Sequence, residues 1–307
     1  MDRPRRAVFP LAAALALAVV PLAAGVPVPD RAHSALVRIL GFGYRAHNGV
    51  ERLAFLVLPR WYGPQRHPPI PLVISPHGRG VDASRNGLIW GDLPQRGGFA
   101  LVSPEGQGRR LELFSWGDPG QIADLARMPQ LARRAFPWLE VDRKRIYAAG
   151  ESMGGQEALL LLARHPRLLA GAAAFDAPTN MRLRYRDFRR LRRGLLLQRL
   201  ARREIGGSPS LSPRLYAARS PLDLVRRIAF SGVPLQLWWS HADRVVVDQA
   251  AQSGLLYRTI KRLNPKAPVQ RFVGAWAHGA EYKVGLPEAL ERFGLLREQK
   301  RGRTELV

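Results

Sequence analysis

The sequence predicts an α/β fold, with a mostly parallel central sheet and helices on both faces. Three observations support this. Short apolar segments alternate with segments of helical spacing. Apolar strands of this kind are typical of parallel sheets that are buried on both faces. At 307 residues and 46% hydrophobic composition, the chain is globular rather than disordered and can bury one sizeable core.

The individual elements follow from local composition and from the residues that interrupt it. Short runs such as PLVIS and GAAAF, bounded by proline, glycine or polar residues, are typical of strands. Strands are predicted at residues 52–58, 71–75, 99–103, 145–149, 171–175, 234–239 and 269–273. Helices are predicted at residues 122–136, 156–164 and 249–263.

Cysteine content and charge exclude some classes of protein. The chain contains no cysteine, which excludes disulfide scaffolds, cysteine-based zinc sites and thiol catalysis. Lys+Arg total 48 against 24 Asp+Glu, giving a formal charge of +24. The excess is almost entirely arginine and is spread along the chain, as codon bias alone would produce. Charge of this kind concerns solubility and non-specific attraction rather than chemistry.

The N-terminus has the layout of a secretory signal peptide. Three arginines precede an apolar run at residues 7–24, which ends in small residues at 23–25. We expect cleavage near Ala24 or Gly25, which removes residues 1–25 and leaves a secreted or extracytoplasmic chain. Residues 26–307 then form a single domain. An uncleaved N-terminal membrane anchor is the alternative.

Ser152 is the candidate nucleophile. It lies in the Gly-Glu-Ser-Met-Gly sequence at 150–154, which fits G-x-S-x-G, between the predicted strand 145–149 and the predicted helix 156–164. In a strand-turn-helix elbow the nucleophile has a strained backbone, and the residues two before and two after it are pressed together. The dipole of the helix points its positive end at the site. A glycine-rich turn without chemistry is the alternative.

A serine hydroxyl needs a general base, and His278 is the candidate. In folds with this elbow the nucleophile is followed by the acid and then by the histidine. Only His165, His241 and His278 follow Ser152. His165 ends a helix before Pro166, and we expect His241 to shape its loop. His278 lies just beyond the last predicted strand, where the base belongs.

The acid should lie at the carboxyl end of a strand between the nucleophile and the base. Asp243 does so, after the strand at 234–239. Asp176, after the strand at 171–175, is the competitor, and Asp248 lies slightly further along the chain. We favour Asp243, which would orient the imidazole and stabilise the imidazolium without taking the proton.

Acyl transfer also needs hydrogen-bond donors for the developing oxyanion. One should be the backbone N–H of Met153, next to the nucleophile. The other should come from the loop after the strand at 71–75. There the Arg79 N–H is the first choice and the Gly80 N–H the second. The His77 side chain is expected to brace this loop.

These motifs resemble the α/β-hydrolases, and within them the catalytic domain of the prolyl oligopeptidase family. The similarity is carried by residues 142–146, 150–155, 220–223, 243–246 and 278–279. It covers roughly residues 53–282. It implies the α/β-hydrolase fold and a triad of Ser152, Asp243 and His278, in agreement with the elimination above.

Some features depart from that family. About 25 residues separate the expected cleavage point from the first predicted strand, too few for the β-propeller that such enzymes often carry. Val247 stands where a proline is usual. The loop at 77–80, His-Gly-Arg-Gly, is more similar to lipases and esterases, including secreted polyester depolymerases and feruloyl esterases.

A basic segment stands apart within an insertion expected at about 177–219. Residues 181–203 contain ten arginines, and apolar side chains recur beside them at roughly helical spacing, at Phe188, Leu191, Leu195 and Leu200. The insertion falls where lids often lie. Such a helix either binds an anionic membrane or cell-wall polymer, or packs its leucines on the main domain. No nucleic-acid-binding motif accompanies the charge, so no specific nucleic acid is expected as a partner.

The sequence therefore predicts a secreted serine hydrolase that cleaves ester or peptide bonds through an acyl-enzyme. Its substrate is a small or polymeric acyl compound, and no metal or organic cofactor is implied. We expect Trp116 and Trp276 to line an apolar acyl pocket, with core packing as their alternative role. A polyester depolymerase or feruloyl-type carboxylesterase is the second hypothesis. A non-catalytic protein that binds anionic surfaces on a hydrolase fold is the third.

Overall fold

The computed structural model describes residues 36–297. The signal peptide predicted at residues 1–25 lies outside the described residues. Among the described residues, no helix combines the length and the apolar composition that crossing a membrane requires.

An eight-stranded sheet forms the centre of the structure. Its strands are β1 (Val37–Arg45), β2 (Glu51–Pro59), β3 (Ile70–Ile74), β4 (Ala100–Pro104), β5 (Val141–Glu151), β6 (Gly171–Phe175), β7 (Leu235–Ser240) and β8 (Val269–Gly274). Their order across the sheet is β1-β2-β4-β3-β5-β6-β7-β8. β2 pairs antiparallel with β1 and β4, and the strands from β4 to β8 pair parallel. The parallel strands therefore end together at one edge, the carboxyl edge.

Helices cover both faces of the sheet. They are α1 (Ala83–Ile89), α2 (Leu93–Gly97), α3 (Pro119–Ala135), α4 (Met153–Arg164), α5 (Met181–Asp187), α6 (Gly194–Ile205), α7 (Pro213–Ala217), α8 (Val225–Ala229), α9 (Ser253–Leu263) and α10 (Ala280–Arg292). Core residues of α3, α4, α8 and α9 pack on one face, and those of α10 on the other. Successive side chains of β3 alternate between these cores, since Leu72 and Ile74 join the first and Val73 the second. The predicted α/β architecture is confirmed.

Each of the seven predicted strands is present, with shifted ends at six of them. The prediction for 171–175 matches β6 residue for residue, whereas β5 begins four residues before the predicted 145–149. β1 was not predicted, and neither were α1, α2, α8 and α10. The predicted helix at 249–263 begins only at Ser253, because residues 248–252 form turns.

The chain between β6 and β7 contains α5, α6, α7 and α8. α6 is joined to the main body by Glu204, which is fully buried and accepts hydrogen bonds from the backbone N–H groups of residues 109–111, at 2.6–2.9 Å. The Arg219 guanidinium lies between Glu204 and Asp118, at 3.4 and 2.5 Å. This buried network attaches the basic segment to the loop that precedes α3.

The expectation of one continuous apolar stripe along the basic segment was wrong. A 3-10 turn at Phe188–Arg190 and residues 191–193 interrupt the helix between α5 and α6. Phe188 is buried and Leu191 and Leu200 are partly buried, but Leu195 points to solvent, 66% exposed. The break changes the phase of the helix, so the spacing of the leucines no longer defines one face.

Replacement of Glu204 by alanine should lower the free energy of unfolding by about 3 kcal/mol, because it removes the acceptor of three backbone N–H groups and one partner of the buried Arg219 charge. Urea denaturation followed by circular dichroism measures this. Glu51→Ala, at an exposed position, is the control and should change stability by less than about 0.5 kcal/mol. Equal effects of the two substitutions would contradict the assigned role of Glu204.

Candidate active site

Ser152 lies at a sharp turn between β5 and α4, with φ 56° and ψ −120°. Such a conformation costs a non-glycine residue about 1–3 kcal/mol. The surrounding backbone holds it there, since the Ser152 N–H donates to the Phe175 carbonyl at 2.8 Å. A Cβ at Gly150 would overlap with the Gly154 backbone, and one at Gly154 would overlap with the Pro76 carbonyl. This is the elbow that the motif predicted.

The Ser152 hydroxyl is partly exposed at the carboxyl edge. Its Oγ makes no hydrogen bond to any residue that the structure describes, and it does not cap α4. The first backbone N–H groups of α4, starting with that of Met153, begin directly beside it. The first N–H groups of a helix have no acceptor within that helix, so they can donate hydrogen bonds to a negatively charged group at this position.

His278 and Asp243 are brought together from the ends of β8 and β7. The His278 Nδ1 atom lies 2.8 Å from the Asp243 Oδ2 atom. Asp243 is buried and also accepts from the N–H groups of Val245 and Val246, at 2.8 and 2.9 Å. Burial alone would raise the pKa of Asp243, but its hydrogen bonds and the His278 charge lower it. Asp243 is therefore ionised and fixed in place.

The second imidazole nitrogen faces a carboxylate that the sequence analysis overlooked. His278 Nε2 lies 3.1 Å from Oε1 of Glu151, the residue directly before Ser152. Burial would lower the pKa of His278, but Asp243 and Glu151 together outweigh it and raise this pKa to about 9. At neutral pH the ring is therefore a cation with an N–H directed at each carboxylate. The available signal was a charged residue at the end of a buried strand, directly before the candidate nucleophile.

Asp176, the competing acid, occupies a different position. It accepts from the N–H groups of Ser240 and Gly279, both at 3.1 Å, and from the Trp276 indole at 3.0 Å. Burial raises its pKa to about 6. Asp176 thus holds the loop that carries His278 by its two flanks, and it makes no direct hydrogen bond to the imidazole among the described contacts.

Asp176, Asp243 and His278 are close enough together to be considered as a metal site, because their ligand atoms all lie within 4.8 Å of one another. Each of these side chains already has hydrogen-bond partners within the protein. We therefore describe them as a hydrogen-bonded cluster. Asp248, the third acid considered, has a left-handed backbone conformation, and its carboxylate accepts a hydrogen bond from the Ala251 N–H.

The loop after β3 is braced by His77. Its Nε2 accepts from the Gly106 N–H at 2.9 Å, so its Nδ1 carries the proton and donates to the Gly78 carbonyl at 2.8 Å. Burial lowers the pKa of His77, which keeps it neutral. The Gly80 N–H donates to the Leu113 carbonyl at 2.9 Å, whereas no described group accepts from the Arg79 N–H. The Arg79 amide is thus the open donor of the two.

The two tryptophans differ in exposure. Trp116 is buried in a cluster with Met153 and Phe188, and its backbone N–H points at the Met153 sulfur, 3.3 Å away. It packs against Met153, the residue that follows Ser152. Trp276 is partly exposed beside His278, with its indole N–H bonded to Asp176. Trp276 therefore has an accessible aromatic surface next to the cluster, and Trp116 has almost none.

Comparison with known proteins supports the fold at low sequence identity. No protein-family model matches the chain, and no curated protein matches it by sequence. Among solved structures, acylaminoacyl peptidase from Pyrococcus horikoshii superposes with a TM-score of 0.64 and 18% identity, over 87% of this chain. Prolyl oligopeptidase B from Galerina marginata gives 0.60 and 15%, over 84%. The chain has the α/β-hydrolase fold.

The chain spans only part of those peptidases, 43% of the first and 36% of the second. An esterase from Pyrococcus furiosus is similar in size, since the match covers 83% of this chain and 91% of that one, with a TM-score of 0.56 and 18% identity. Peptidases and esterases thus both occur among the structural neighbours, and identity this low speaks for the fold alone.

The His278 imidazole should titrate with a pKa of about 9. Glu151→Gln keeps the side-chain size but removes one carboxylate charge, so it should move this pKa toward the ordinary value of 6.5. Long-range ¹H–¹⁵N NMR of the ring measures both. Glu140→Gln, at the opposite edge of the sheet, is the control and should leave the titration unchanged.

The same shift determines how stability depends on pH. Because the folded pKa of His278 lies above 6.5, its ion pairs stabilise the native state fully below that pH, and the contribution is lost as pH rises through about 9. A His278 pKa at or below 6.5 in the wild-type protein would contradict the double-carboxylate environment.

Proposed function

We propose that this chain is a serine hydrolase that cleaves ester or peptide bonds through Ser152, His278 and Asp243. One observation carries the proposal. A serine on a strained strand-helix elbow and a buried Asp-His pair lie at the same edge of one α/β-hydrolase sheet. Nucleophile, base and acid also follow one another in the chain order typical of this fold.

The neutral form of His278 acts as the base. Its Nε2 turns from Glu151 to the Ser152 hydroxyl and takes the proton as Oγ attacks the substrate carbonyl carbon. Asp243 orients the ring through Nδ1 and stabilises the imidazolium. His278 then gives the proton to the leaving group as the bond to the acyl carbon breaks. Water, deprotonated by the same imidazole, then attacks the acyl carbon, and the bond from that carbon to Oγ breaks as His278 returns the proton to Ser152, which releases the carboxylic acid.

Two backbone amides bind the oxyanion in this proposal. The Met153 N–H lies at the start of α4, and the Arg79 N–H lies in the loop that His77 braces. The Gly80 N–H, the other candidate, is engaged by Leu113 and is not needed. Loss of one such donor typically costs about 10²–10³ in kcat.

Whether the enzyme cleaves esters or peptides is decided by comparing substrates. Among the three neighbours compared above, the esterase agrees best with this chain in length, and the His-Gly-Arg-Gly loop resembles esterases. These observations favour a carboxylesterase, of which a polyester depolymerase or feruloyl esterase is one form. Parallel assays of p-nitrophenyl acyl esters and proline-containing peptide anilides separate ester from peptide hydrolysis.

Ser152→Ala should abolish labelling by a fluorophosphonate probe and lower kcat for p-nitrophenyl esters by about 10⁴–10⁶, because the nucleophile is lost. Ser231→Ala, after α8 and away from the carboxyl edge, serves as the control and should keep full activity. Wild-type protein that neither labels nor turns over any ester or anilide would favour a non-catalytic binding protein on this fold.

Asp243→Asn should lower kcat by about 10⁴, since the amide favours the wrong imidazole tautomer and cannot stabilise the imidazolium. Asp176→Asn keeps Asp243 in contact with the ring, so its loss should be at least tenfold smaller. Steady-state kinetics of the two variants decides between the acids. The reverse order of the two effects would assign the acid to Asp176.

A further inference from the structure

The basic segment at residues 181–205 presents a surface of one charge. Eight of its ten arginines are exposed, namely Arg186, Arg189, Arg190, Arg192, Arg193, Arg199, Arg202 and Arg203. Both of its acidic residues, Asp187 and Glu204, are buried. Of the eight, Arg186 pairs with Asp187 at 3.7 Å, and the other seven have no carboxylate partner among the described residues.

Two leucines project from the same surface. Leu195 and Leu196 lie in the first turn of α6, one residue beyond Arg192 and Arg193, and are 66% and 47% exposed. The first turn of α6 contains no acidic residue, so the helix dipole adds to the positive potential there. The pattern combines exposed apolar side chains with cations on both sides of them along the chain.

The buried side of the segment is firmly attached. Phe188, Ala201 and Ile205 pack in a cluster with Trp116 and Met153. Gln198 donates to the Tyr185 carbonyl at 2.9 Å and thereby ties α6 to α5. The inner face of α6 already packs against the domain. Leu195 and Leu196 therefore do not belong to that contact and stay exposed to solvent.

We propose that residues 186–203 dock this protein on an anionic phospholipid bilayer. Phosphate headgroups pair with the exposed guanidinium groups, while Leu195 and Leu196 enter the boundary between headgroups and acyl chains. A hydrophilic polyanion would use the arginines but would gain nothing from the leucines. The leucines are thus what favours lipid over a nucleic acid or a wall polymer.

Docking would also bring the candidate active site close to the bilayer. The thickness of α6 separates the docking surface from the cluster that contains Met153, the residue after Ser152. The binding itself does not depend on the proposed hydrolase activity, so Ser152→Ala should bind vesicles as well as the wild type does.

Sedimentation with vesicles tests the proposal. The wild type should bind vesicles of equal parts phosphatidylglycerol and phosphatidylcholine, and not pure phosphatidylcholine, at about 0.15 M salt. Replacement of Arg189, Arg190, Arg192 and Arg193 by Gln should lower the partition coefficient by roughly 600-fold, since each cation near such a surface contributes about fivefold. A control of equal charge, with Arg134, Arg143, Lys144 and Arg145 replaced by Gln, should change it far less.

A second pair of variants tests the contribution of the exposed leucines to vesicle binding. Leu195→Ser should weaken vesicle binding roughly tenfold, whereas Phe230→Ser, at a side chain 60% exposed outside the segment, should have little effect. Equal losses of vesicle binding in the two fourfold Gln variants would show that binding depends only on net charge, and would overturn the proposal. Unchanged binding in Leu195→Ser, together with comparable binding of duplex DNA, would overturn it in favour of a polyanion.

Discussion

The hydrogen bond between His278 and Asp243 is the constraint on which the site depends. It requires the ends of two neighbouring parallel strands, β7 and β8, to deliver an imidazole and a carboxylate to the same point. Asp243 can hold the ring only because backbone N–H groups fix it in turn. Asp176 fixes the other partner by binding the chain on both sides of His278. The ends of the sheet strands therefore determine where the residues of the site lie.

Glu151 adds a second constraint with a different consequence. By bonding Nε2 it holds the imidazole as a cation and keeps the ring from the serine beside it. The hydroxyl of Ser152 is correspondingly left without a partner among the described residues. Activity in this account requires the ring to lose a proton and change partners, so Glu151 couples the chemistry to pH and to whatever displaces its carboxylate.

The parts of the structure that were predictable have strong local signals. β6 is a run of small apolar residues between turns, and Ser152 has glycines where the backbone is crowded. β1 was missed because its glycines and arginines hide the pattern of an antiparallel edge strand. Leu195 was misplaced because the break at 188–193 depends on tertiary packing of Phe188. The Glu151–His278 contact joins residues 127 positions apart, beyond any local pattern.

A crystal structure of the fluorophosphonate adduct would show how the site holds a tetrahedral centre, since the phosphonyl group imitates the tetrahedral intermediate. We expect a covalent bond to Ser152 Oγ, with a phosphonyl oxygen within hydrogen-bond distance of the Met153 and Arg79 amides. His278 Nε2 should then have left Glu151 and face the adduct, with Nδ1 still bonded to Asp243. An adduct on another residue, or an imidazole that remains directed away from Ser152, would contradict this arrangement.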